Sequence, residues 1–111
     1  MSDIDALLRK YAKAGDEYPA AKAKRVYLEE YKKSLIALLM KDAERKGSSS
    51  VSGQERDALC RQEFLDHLLS LERAVESDER LRLEIKRIEM EIEIWRTNQA
   101  TERLERKTFG G

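Results

Sequence analysis

The sequence predicts an all-α protein: a long antiparallel helical hairpin that assembles with further copies of itself into a homo-oligomeric bundle. Three observations carry this expectation. Apolar residues recur every three or four positions along nearly the whole chain. Five glycines and one proline punctuate 111 residues, too few for many short strands joined by tight turns. Charged side chains make up 40% of the sequence, 22 basic against 22 acidic. That mixture keeps long helices soluble, and the zero net charge argues against whole-molecule attraction to DNA or anionic lipid, leaving only local patches.

Other classes fall away on composition. A single cysteine rules out an intramolecular disulfide and any zinc site built on paired cysteines. No apolar run approaches the ~20 residues of a membrane span, and the N-terminus lacks a basic-then-apolar leader, so a soluble, cytoplasmic protein with no membrane partner is expected. One helical domain over residues 1–111 is anticipated: an arm over 2–46, a break over 47–53, an arm over 54–107 and a frayed tail over 108–111.

The first arm begins with Ser2 as cap and with Asp3 and Asp5 at the positive end of the helix dipole. Ile4, Leu7, Leu8, Tyr11 and Ala14 share one face, and the series resumes at Tyr18, Ala21, Leu28, Tyr31, Leu35 and Leu38. Gly15 and Pro19 interrupt it, which predicts either a kink near Pro19 or a second helix capped by Asp16. The apolar stripe keeps its face across the interruption, favouring a kinked or closely consecutive pair.

Gly47-Ser-Ser-Ser-Val-Ser-Gly53 is the clear break, since serines there bond their own backbone in turns. Arg45 and Lys46 before Gly47 suit a helix end. Ser52 and Glu55 form an S-x-x-E capping box, so a new helix is expected from Gly53. A short piece, Gln54 to Arg61, with Leu59 and Cys60 as a small apolar edge, is expected to be offset from the rest.

Beyond it, Leu71, Ala74, Asp78, Leu81, Ile85, Ile88, Ile92, Trp95 and Gln99 alternate spacings of three and four, a heptad seam with one acidic interruption at Asp78. Glu84 with Arg87 and Glu93 with Arg96 make exposed pairs worth only tenths of a kcal/mol. Residues 2–46 and 62–107, each spanning roughly 65–70 Å if continuous, bury their stripes by folding back at the break. Leu83, Met90 and Ile94 form a second apolar edge, to be covered by the short helix or by another copy. The self-association set is therefore Leu28, Leu35, Leu38, Leu81, Ile85, Ile88, Ile92 and Trp95.

Catalytic constellations are scarce, and no enzyme, cofactor or metal site is expected. His67, the one histidine, follows Glu63 by four residues, a spacing that suits a metal pair but reads first as a half-exposed histidine beside a carboxylate. Cys60 has no histidine at a telling spacing and is expected to pack as a small apolar group. Glu84, Glu89, Glu91 and Glu93 read as the solvated face of the helix.

Nucleic-acid contact is the sharper alternative. Lys22, Lys24, Arg25, Lys32 and Lys33, with Tyr27 and Tyr31 interleaved, could track phosphates while the rings stack on bases. Arg96, Arg103 and Arg106 form a second set near the C-terminus. Glu29, Glu30, Glu102 and Glu105 dilute both sets, and Trp95 completes the seam spacing, so ordinary surface is the favoured reading.

The stretches Arg25-Val-Tyr-Leu-Glu-Glu-Tyr-Lys-Lys-Ser-Leu-Ile-Ala-Leu-Leu-Met40 and Glu91-Ile-Glu-Ile-Trp-Arg-Thr-Asn-Gln-Ala-Thr-Glu-Arg103 resemble a family of small helical bacteriophage and prophage proteins. In that family an ALLM-like stretch precedes a Ser/Gly-rich break, and an IE-WRT-QA stretch lies near the end. The resemblance implies a phage origin, a bacterial host cytoplasm, and a setting among genes for phage DNA metabolism, with no activity attached. The expected function is a non-enzymatic, self-associating accessory or adaptor in phage DNA recombination or replication, whose partners are itself and either DNA or a phage DNA-metabolism protein. Direct nucleic-acid binding and a virion assembly or scaffold role are the alternatives.

Overall fold

The computed structural model describes residues 3–109, and every element in it is helical. The helices are α1 (Asp3–Arg45), α2 (Val51–Leu59) and α3 (Gln62–Phe109). The Ser2 cap and the two final glycines of the tail lie outside the described residues. Thr108 and Phe109 belong to α3 rather than to a frayed end. Between Gln62 and Phe109 there is no glycine or proline to stop the helix. No helix among the described residues is long and apolar enough to cross a membrane.

Pro19 does not divide the first arm. Asp16 starts no new helix, and α1 runs unbroken through the proline. Gly15, whose carbonyl loses its partner to the missing Pro19 amide, is exposed, as is Pro19 itself. Water can replace the lost bond on that side. Within α1, half-buried and buried positions step through Ala14, Tyr18, Ala21, Arg25, Leu28, Lys32, Leu35, Leu39 and Asp42. The steps alternate strictly between four and three, so the inward stripe is a heptad seam carrying three charged members, Arg25, Lys32 and Asp42. Leu38, one residue before Leu39, is rotated off that seam by about 100° and is 57% exposed. The apolar count from Leu28 through Tyr31 to Leu38 therefore drifted off the inward face.

The break is shorter than its Gly/Ser composition implied, and its capping residue lies two positions earlier. Gly47, at φ 109°, ends α1 in the left-handed region that glycine tolerates. Its amide donates to the Glu44 carbonyl at 3.1 Å and the Ser48 amide to the Ala43 carbonyl at 3.0 Å, closing a Schellman end. Ser50, extended at φ −97° and ψ 145°, then caps α2, its Oγ accepting from the Gly53 amide at 3.0 Å. Ser52 lies inside the helix, so the Ser52/Glu55 capping box is not used. A Cβ on Gly53 would stand 2.8 Å from the Ser50 Oγ, which explains a glycine at the third helical position. The Gln54 side chain, buried, donates to the Ser48 carbonyl at 2.9 Å and ties the turn to α2.

The chain forms two compact units. One joins Ala20 through Glu79. Its core is Leu39, Ala58 and Phe64, with Leu35, Ile36, Met40 and Leu68 packed against them. Inward spacing of four puts Gln54 and Ala58 on the packed side of α2, so Leu59 and Cys60 face solvent. The expected Leu59–Cys60 edge, and a packed Cys60, are thereby corrected. Arg61, between α2 and α3, bonds Asp42 at 2.6 Å and Asp57 at 2.8 Å. It links the end of α1 to α2.

The other unit joins the chain up to Pro19 with the chain from Arg80 onward. Ala14 and Ile88 are its buried apolar residues, Ile88 at 2% exposure. The Tyr11 hydroxyl donates to the Glu89 carboxylate at 2.9 Å.

Candidate functional site

Of the residues expected to mediate self-association, Ile88 is buried, while Leu28, Leu35, Leu81, Ile85, Ile92 and Trp95 are half-buried. Leu38 is the outward exception. On α3 the inward positions run Phe64, His67, Leu71, Ala74, Asp78, Leu81, Ile85, Ile88, Ile92, Trp95 and Gln99, again in strict steps of three and four. The second edge is open. Leu83, Met90 and Ile94 are 56%, 66% and 59% exposed, and Leu104 continues the same face. These residues are offset from the seam by about half a turn, so an apolar edge, interspersed with Lys86, Thr97 and Thr101, lies opposite the packed stripe of α3. α2 packs on Leu39 and Phe64. A shallow apolar hollow bounded by Lys86, Glu89 and Glu93 opens beside Met90 and Ile94.

The acidic interruption at Asp78 has a partner that counting along one helix could not reveal. Arg25 donates from one terminal guanidinium nitrogen to Asp78 at 3.0 Å and to Glu79 at 2.9 Å, and from Nε to Glu29 at 2.9 Å. Hydrogen bonds to Glu29, Glu79 and Asp78 hold its proton still more firmly than usual. Asp78 is 5% exposed, and its other carboxylate oxygen is buried without a hydrogen bond. Arg25 is thus a seam residue neutralising a buried acid, not a free phosphate contact.

His67 is also corrected. It is buried, its Nε2–H donates to the Leu28 carbonyl at 2.8 Å, and its ring lies 5.6 Å from that of Tyr31. The carboxylate of Glu63 plays no part. Among the described residues no group of histidine, cysteine and acidic side chains is placed to hold a metal.

The first basic set does not form one face. Taking about 100° per residue, Lys22 and Lys33 point one way, Arg25 and Lys32 lie on the packed seam, and Lys24 points a third way. Tyr27 and Tyr31 stack on each other, centroids 5.9 Å apart. The second set does converge: Arg96, Arg103 and Arg106 line one hollow with Trp95, Gln99 and Ala100. Arg96 also pairs with Glu93 at 3.0 Å.

Elsewhere, hydrogen bonds from Arg61 and Lys46 lower the Asp42 pKa from 3.8 to about 2. The Glu89 hydrogen bond and charge raise that of Tyr11 above its ordinary value. Tyr11 lines a hollow with Leu8, Glu89, Ile92, Glu93 and Arg96. Comparison with protein-family models, curated proteins and solved structures finds no match.

Proposed function

We propose that the chain is a non-enzymatic, self-associating helical protein, its long helices paired antiparallel within each unit and completed by a second copy into a bundle. It acts as an accessory or adaptor in the host cytoplasm, in phage DNA recombination or replication. The observation that carries self-association is the apolar side of α3 at Leu83, Met90, Ile94 and Leu104, opposite a stripe already packed. Large side chains exposed in one row at heptad-compatible spacing are the mark of a further helix–helix contact. Antiparallel pairing is supported by partners whose numbers fall along α3 as they rise along α1: Arg25 with Asp78 and Tyr31 with His67. The phage setting is supported by the sequence resemblance.

Light scattering on the eluting protein tests the reading. The expected mass is a whole multiple of 12.9 kDa, and Met90→Lys with Ile94→Lys should reduce it to one chain while helicity is retained. A wild-type chain that stays at one 12.9 kDa mass at every concentration would overturn it.

A further inference from the structure

The basic hollow near the end of α3 lies where the packed seam reaches Trp95 and Gln99, away from the exposed apolar edge. At about 100° per residue, Trp95, Gln99, Arg103, Arg106, Arg96 and Lys107 fall within roughly 120° of arc. Leu83, Met90, Ile94 and Leu104 lie on the other side of the helix. Glu102 stands at the edge of the basic arc and Glu105 beyond it, and among the described residues no carboxylate lines the hollow. Glu105 is therefore turned away from these cations, while Glu102 stands one turn before Arg106 and Glu93 pairs with Arg96 at 3.0 Å. Among the described residues Arg103 and Arg106 make no ion pair; the Arg106 Nε donates to the Glu102 backbone carbonyl at 3.5 Å.

We propose that this hollow binds single-stranded nucleic acid, with Arg96, Arg103 and Arg106 on successive phosphates and the half-exposed Trp95 ring against an unpaired base. Guanidinium forks match phosphate oxygens in pairs, and they are the least hydrated of the protein cations. From Arg96 to Arg106 the helix rises about 15 Å, enough to follow a few consecutive phosphates of an extended strand. The indole supplies sequence-tolerant stacking, and the Gln99 amide, beside it, can both donate to and accept from a base edge. A duplex offers phosphates but no free base face, so it should bind less well.

Trp95 is the one tryptophan, so its emission reports the site directly. Titration of the full chain with an oligothymidylate should quench that emission, and the logarithm of affinity should fall with that of salt at a slope near −2, about 0.7 per phosphate for single strands. Arg103→Gln with Arg106→Gln should flatten the slope by about 1.4 and weaken binding at least tenfold at low salt. Circular dichroism and the light-scattering mass should not change, which separates this site from self-association. Unchanged emission at low salt overturns the proposal. So does equal quenching by polyglutamate or by the matching duplex, or a double variant that binds like the wild type.

Discussion

Ile88 offers the sharpest test of the packed seam. It is 2% exposed, so Ile88→Ala removes three carbons from a fully enclosed site. Transfer alone accounts for about 2.4 kcal/mol at ~0.8 kcal/mol per carbon. Incomplete collapse of the surrounding helices adds to this, giving about 3–4 kcal/mol in all. Ile88→Val removes one carbon and should cost about 1 kcal/mol. Val26→Ala, on the outer side of α1 at 47% exposure, should stay within about 0.5 kcal/mol of wild type. The three variants are compared by urea unfolding followed by far-ultraviolet circular dichroism, at one protein concentration. A cost below about 1 kcal/mol for Ile88→Ala, or one equal to that of Val26→Ala, would refute the placement of Ile88 in a close-packed interior.

Three further outcomes are expected. Ser50→Ala should lower stability by about 1 kcal/mol, as loss of a helix cap does, while Ser52→Ala leaves it nearly unchanged; equal effects in urea unfolding would contradict the Ser50 cap. Gly47→Ala should cost about 1–2 kcal/mol, because alanine resists the left-handed conformation at φ 109°; a neutral result would mean that the turn relaxes. Asp42 has a depressed pKa, so its contribution is complete above its ordinary 3.8 and is lost as pH falls through about 2. Asp42→Asn should therefore be less stable than wild type near neutrality, with the gap in urea midpoint closing between about pH 4 and 2. A gap independent of pH would assign the difference to something other than the ionised carboxylate.

Much of this architecture was legible in sequence because its strongest signals are local. The glycine at 47 and the alternation from Leu71 to Gln99 each follow from neighbours a few residues away. The exposed edge at Leu83, Met90 and Ile94 followed from the same count. What escaped depended on partners distant in sequence. Arg25 on α1 and Asp78 on α3 each break an apolar pattern, and only their mutual contact explains both. Following apolar residues alone skipped Lys32 and so chose Leu38 over Leu39. Continuing the steps of four and three from Leu28 would have found Leu39. Ser50 and Ser52 are equally good caps by type, and the choice is settled by which hydroxyl meets the Gly53 amide. In the C-terminal hollow, a mixed charge count concealed the convergence of Arg96, Arg103 and Arg106, because Glu105 is turned away from all three.

Exchanging the charges of Arg25 and Asp78 tests most directly whether the two long helices meet in this register. Arg25→Asp and Asp78→Arg should each lower the urea midpoint, since each sets like charges together in a largely buried layer. Combining them should recover much of the loss, because the pair is restored with its ends reversed. Losses that simply add in the double variant would show that these two side chains do not face each other.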